Sequence, residues 1–241
     1  PDLVTSVGGG FDAKLVSSLA GPAAPGEFAQ AAGGATEPIG QIETIEGAVE
    51  ITRVDGSKVT AQQGDDIFQG DVIETGADAS IGMVLADDSV FSLDADARAV
   101  IDEMVYDPGE QTGNIGINLV SGVMSFVSGQ IAKTDPDAMV LKTPVATIGI
   151  RGTQVGLDVG EGADTTVVLM EEADGFVGEV VVSNAAGVQI LNTAFQGTQI
   201  ADSTSAPTES FTVDMNTMLN QFGGALNSLP AGNNANNYGA E

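Results

Sequence analysis

From residue 40 to about 159, apolar and polar side chains alternate with a period of two, the spacing of half-buried β-strands. Val49, Ile51 and Arg53 fall on one face and Glu50 and Thr52 on the other, and Asp55-Gly56 signals a turn. Ile81, Met83 and Leu85 share a face ahead of the turn-forming Asp87-Asp88-Ser89. Residues 100–106 make another strand, closed by Asp107-Pro108-Gly109. Ile115, Ile117 and Leu119 repeat the alternation, and 123–127 and 139–159 complete this part. Further strands are predicted over 165–170, 179–183, 188–191 and 199–201. Short strands with turn signals every 8 to 12 residues or so predict an all-β fold, an antiparallel sandwich or a short β-solenoid. No linker divides the body, so 40–213 reads as one β unit.

The two ends break this pattern. Residues 1–39 form a small-residue arm with Gly8-Gly9-Gly10, Gly21-Pro22 and Gly33-Gly34. One short helical face, Phe11, Leu15, Val16 and Leu19, interrupts it. Such an arm cannot offset its own ordering entropy, so the body or another subunit is expected to order it. Residues 214–229 switch to helical spacing, with Met215, Met218, Leu219, Phe222, Leu226 and Leu229 on one stripe. Asp214 is the predicted cap, Pro230 the stop, and Gly223-Gly224 weakens the middle by about 1 kcal/mol per glycine. The stripe either packs on the β body or docks a partner. On the second reading, Phe11, Leu15, Leu19, Met218 and Phe222 are the assembly contacts. The polar tail from Gly232 to the end resembles a linker.

Charge narrows the function. The 241 residues carry 34 acidic and 7 basic side chains, a net charge of −27. That disfavours nucleic acid and anionic membrane surfaces as partners, and suits a salt-screened surface or Ca²⁺. There is no cysteine, histidine or tryptophan. Disulfides, thiolate metal sites, histidine-based triads and most catalytic zinc sites are thereby excluded. No catalytic set and no cofactor site is predicted. No apolar run approaches the length of a membrane-spanning helix. The chain opens on Pro1 without a basic-then-apolar leader, as expected if a secretion signal has been removed or a longer protein precedes it. Asp94-Ala95-Asp96, with Asp102, supplies candidate Ca²⁺ ligands but lacks the glycine and terminal glutamate of an EF-hand. Solvated turn residues are the alternative.

Arg151 stands out as the last cation, with ninety residues after it. If 151–159 is one unbroken strand, Arg151 shares an apolar face with Thr153, Val155, Leu157 and Val159, near its rim. A bulge at Gly152 would reverse that assignment. A structural ion pair with a carboxylate, or contact with a ligand or partner, are the two readings. Pro144 marks an edge or a strand start. Gly149 and Gly152 suggest a bend or the close approach of another backbone.

These segments, taken in order, resemble the FecR domain family. Residues 47–56, from Gly47-Ala48-Val49 to Asp55-Gly56, look like its opening strand and turn. Gly64 and Gly70-Asp71-Val72-Ile73-Glu74-Thr75-Gly76 look like its next element. Leu85-Ala86-Asp87-Asp88-Ser89 is similar to a hairpin that often carries Asp-Gly, with serine read in place of the glycine. Leu119-Val120-Ser121-Gly122-Val123 and the run from Thr143-Pro144 to Arg151-Gly152-Thr153 complete the resemblance, which covers roughly 40–200. It implies a non-catalytic β module outside the cytoplasm. Some family members are sensors, and others sit in large secreted or surface proteins.

The expectation drawn from these features is a non-enzymatic extracellular or cell-surface structural protein, a self-assembling homo-oligomer or filament subunit that exchanges the arm 1–39 or the helix 214–229. The alternative is a periplasmic or cell-surface binding or sensor module of a larger protein, with other surface proteins as partners. A calcium-stabilised adhesin fragment is a third option.

Overall fold

A computed structural model describes residues 37–134 and 138–230, which lie in one compact unit of the chain. Phe11, Leu15 and Leu19 fall outside the described residues. The strands, in chain order, are β1 (Gly40–Glu46), β2 (Val49–Thr52), β3 (Lys58–Thr60), β4 (Asp66–Ile67), β5 (Val72–Thr75) and β6 (Ser80–Leu85). They continue as β7 (Val90–Leu93), β8 (Arg98–Asp107) and β9 (Thr112–Val127), and then, after a short helix α1 (Ile131–Thr134), as β10 (Met139–Lys142), β11 (Thr147–Arg151) and β12 (Gln154–Val159). β13 (Thr165–Met170), β14 (Glu179–Asn184), β15 (Gly187–Leu191), β16 (Gln196–Ile200) and β17 (Phe211–Thr212) follow, and α2 (Met215–Ser228) ends the body. The fold is all-β with a C-terminal helix.

The strand pairings resolve into two sheets. In the first, neighbours run β4, β1, β6, β7, β9, β12, β13, β16, β17. In the second they run β3, β2, β5, β8, β9, β10, β11, β14, β15. The ladders are antiparallel except between β9 and β10, which are parallel. β9 belongs to both sheets. Its residues up to Ser121 pair with β8 and β10, and those from Gly122 onward pair with β7 and β12. Gly122 makes the crossing with φ +86°, and a Cβ there would lie 2.5 Å from Ala97 Cα.

The period-two pattern turns one face of each sheet inward. Ile42, Ile81, Met83 and Leu93 of the first sheet meet Ile51, Ile73, Ile101 and Ile117 of the second in a single core. Each such side chain contributes roughly 1.5–3 kcal/mol by leaving water.

Helix α2 covers the other face of the first sheet. Asp214 caps it by accepting from the N–H groups of Asn216 and Thr217. Met218, Phe222 and Leu226 pack on Val90, Val127, Val168 and Met170. Ser92 Oγ donates to the Ala225 carbonyl at 2.6 Å, and Gln221 Nε2 donates to Asp158 Oδ2 at 2.8 Å. Met218 and Phe222, expected as assembly contacts, are fully buried in the chain's own body. The docking reading of these two residues is corrected accordingly: they close this domain, while Met215 and Leu219 of the same stripe stay exposed. The glycine pair divides in the same way. A Cβ on Gly223 meets nothing within 4 Å, whereas one on Gly224 would lie 2.0 Å from an Asp94 carboxylate oxygen. Gly223→Ala is therefore expected to stabilise the domain by up to about 1 kcal/mol, and Gly224→Ala to destabilise it. Urea unfolding of both variants checks this, and equal shifts of one sign would contradict it.

Candidate functional site

Among the described residues, two carboxylates are fully buried. Asp71 follows Gly70, which turns the chain at φ +87° ahead of β5. One Asp71 oxygen accepts from the Phe68 N–H at 2.8 Å and pairs with the Arg53 guanidinium, and the other has no partner. Arg53 also lies over the Phe68 ring, 4.9 Å from its centroid, and donates to the Asp66 carbonyl. Burial raises the Asp71 carboxyl above its ordinary range, while the Phe68 N–H and Arg53 pull it down. Burial prevails because the flanking chain excludes water from Asp71 more fully than one guanidinium compensates. The sequence showed the Gly-Asp motif, but not that Arg53, eighteen positions earlier, would be its partner.

The second buried carboxylate, Asp87, sits at the turn between β6 and β7. It accepts from the Ser89 N–H and Oγ and from the Ile131 N–H, at 3.1, 2.8 and 3.3 Å. Ser89 Oγ in turn accepts from the Gly129 N–H. Asp87 and Ser89 thus anchor the chain that leaves β9. In this turn the left-handed position belongs to Asp88, with φ +64°, so Asp88 rather than serine stands where glycine would be favoured. Asp88→Gly is expected to add about 0.5 kcal/mol of stability by removing that strain. A lower urea midpoint for the variant would refute this.

Among the described residues, the outer face of the second sheet carries four cross-strand ion pairs. They are Lys58–Glu50, Arg98–Glu74, Lys142–Asp102 and Arg151–Glu179. All are solvated, so each contributes at most about 1 kcal/mol. Arg151 lies directly opposite Glu179 in the β11–β14 ladder, and its Nη1 donates to Glu179 Oε1 at 2.6 Å. The run 139–159 is three strands. β10 and β11 form a hairpin of the second sheet, and β12 belongs to the first. The chain changes sheet at Gly152, with φ +60°, so Arg151 points outward while Ile148 and Ile150 point inward. The shared face with Val155 and Leu157 is corrected by that corner.

Pro144 occupies the β10–β11 turn, where the Thr143 N–H donates to the Ala146 carbonyl and Thr143 Oγ1 accepts from the Ala146 N–H. The backbone that comes close at Gly152 is that of Gly178, whose Cβ position lies 1.7 Å from the Gly152 carbonyl. Gly149 has open space around its Cβ position.

The candidate Ca²⁺ ligands do not converge. Asp102 lies on β8 with Lys142, while Asp94 accepts from the Ala95 N–H and sits against Gly224. Among the described residues, no group of three or more acidic, histidine or cysteine side chains is placed to hold a metal ion. Nor is any helix among them long and apolar enough to cross a membrane.

The model of the FecR protein family matches residues 71–173. The match begins on the buried Asp71, takes in the Asp87 turn and β9, and ends just beyond β13. Two crystal structures of a candidate anti-sigma factor from Parabacteroides distasonis are similar at 14% identity, with TM-scores of 0.43 and 0.46. They cover 59% and 62% of this chain, which spans 60% and 64% of theirs. No curated protein matches.

These findings overturn the expected filament subunit, homo-oligomer and adhesin. The matched family is FecR, not a family of filament, adhesin or other structural subunits. The stretch that matches the FecR family model, residues 71–173, runs from β5 to β13 with β9 at its centre.

Proposed function

We propose that this chain is a non-enzymatic binding or sensor module of the periplasm or cell surface, acting as part of a larger protein through contact with another protein. The FecR match over residues 71–173 carries this reading. The engagement of the interior polar groups supports it. Asp71 is held by Arg53, and Asp87 by Ser89 and Ile131, so both serve the fold. The outer face of the second sheet, by contrast, is solvated and charged, with Arg151 and Glu179 on it. Partner contact is assigned to that face.

Two measurements test the proposal. Sedimentation at micromolar concentration should give a monomer. A photo-crosslinking residue placed at Arg151 or Lys142 in the producing cell should give one discrete heterologous adduct. Oligomers of the isolated chain, or adducts no different from those at the exposed Gln41 on the first sheet, would overturn it.

A further inference from the structure

The β14–β15 hairpin differs from the rest of the surface. Residues 180–201 contain no Asp, Glu, Lys or Arg, in a chain with a net charge of −27. β15 pairs with β14 and, among the described residues, with no other strand. In an antiparallel pair, alternate residues turn their N–H and C=O groups away from the partner, so β15 offers an open ladder at Val188 and Ile190, where only the Ile190 carbonyl is engaged locally, accepting from Gln189 Nε2 at 3.0 Å. Val188 is 63% exposed and Ile190 46%, and they lie opposite Ser183 and Val181 on the outer face. Edge strands are ordinarily blunted by a charge, a proline or a bulge. β15 has no charge or proline, and its register with β14 is unbroken.

One end of this edge adjoins negative charge. Leu191 lies opposite Val180, beside Glu179, whose charge Arg151 offsets, and the loop leading into β14 carries the further acidic residues Glu171, Glu172 and Asp174. Burial, and then the charge of Asp174, raise the Glu172 carboxyl above its ordinary range. A positive group brought to this end would relieve that repulsion.

We propose that β15 is a docking edge for an extended segment of a partner protein, added as a further strand of the second sheet. Its uncharged β-branched side chains would lie over Val188 and Ile190, and a lysine or arginine would sit at the end beside the acidic loop. Main-chain hydrogen bonds supply the affinity, alternate side chains the selection, and the chain's overall negative charge the attraction of a basic partner. The inference rests on the binding-module reading and narrows it to one edge.

The test is an amide NMR and hydrogen-exchange titration of the full chain with a synthetic peptide. The peptide has about nine residues of alternating valine and threonine, ending in two lysines. Binding should protect β15 amides and shift those of residues 187–191. Replacing the lysines with glutamates should weaken it about tenfold, as should Ile190→Lys in the protein. A central proline in the peptide should abolish it. Shifts centred elsewhere, indifference to the proline, or no binding at millimolar peptide would each overturn the proposal. So would β15 protection that rises with protein concentration alone, which would make a second copy the occupant. A crosslinked partner at Arg151 together with a silent β15 would sink this edge alone and leave the binding module standing.

Discussion

Arg53→Met is expected to destabilise the domain by about 3 kcal/mol, the cost of leaving a buried carboxylate without its cation. Asp71 is inaccessible to solvent, and one of its oxygens already lacks a partner. Without Arg53, the Phe68 N–H remains as a donor to its carboxylate. The methionine keeps an apolar stem over the Phe68 ring, so the loss reports charge and hydrogen bonding more than packing.

The pH dependence has a definite sign. The folded Asp71 carboxyl is raised above its ordinary value of 3.8, chiefly by burial. The folded state therefore holds that proton more tightly than the unfolded chain does. The associated stability is fully present below 3.8 and is lost as pH rises through the folded value. Removing Arg53, whose charge lowers that value, widens the gap. The deficit of Arg53→Met should thus be smallest in acid and grow toward neutral pH. Adding Asp71→Asn should recover part of it. Urea unfolding across a pH series makes the measurement, and a deficit that does not vary with pH would exclude this account.

Phe222→Ala should cost about 3–4 kcal/mol, the range for an aromatic removed from a packed interior. The ring is fully buried, and an added Cβ on Gly156 would lie 2.9 Å from it, so its removal leaves a cavity against β12. Hydrogen exchange should show the amides of α2 losing protection first, since that helix is held mainly by its stripe. Leu219→Ala, on the 36% exposed side of the same helix, should cost under about 1 kcal/mol. Were α2 a docking helix with a loosely held stripe, Phe222→Ala would leave stability unchanged.

The local features were legible in the sequence because local chemistry decides them. Asp214 and Pro230 bracket the helix as their cap and stop chemistry requires. Period-two alternation picked out the core faces of β2, β6 and β9. Partner choice across distance was not legible. Nothing near Arg53 identifies Asp71, and nothing near Arg151 identifies Glu179 twenty-eight positions on. The face of Arg151 stayed conditional in the sequence because Gly152 is a corner between sheets, and a one-residue change of register moves every following side chain to the other face. Met218 and Phe222 were ambiguous for a related reason. An apolar stripe states that it will be covered, and only the fold states by what. The uncharged run 180–201 was in plain view, yet only the pairing of β15 with β14 alone gives it meaning.

The double membership of β9 governs the order in which the molecule can form. Strands completed before residue 112 reach as far as β8, but the first sheet lacks the strand that joins β7 to β12, and the second lacks the one that joins β8 to β10. A nascent chain halted ahead of β9 therefore has two incomplete sheets with apolar inner faces exposed and no way to close either. Once β9 arrives, hairpin pairing with β8 is local, while β12 must return from some thirty residues further along. Such non-local closure is slow. The domain should accordingly emerge from synthesis as an aggregation-prone intermediate until roughly residue 160, and then acquire both layers in one cooperative step.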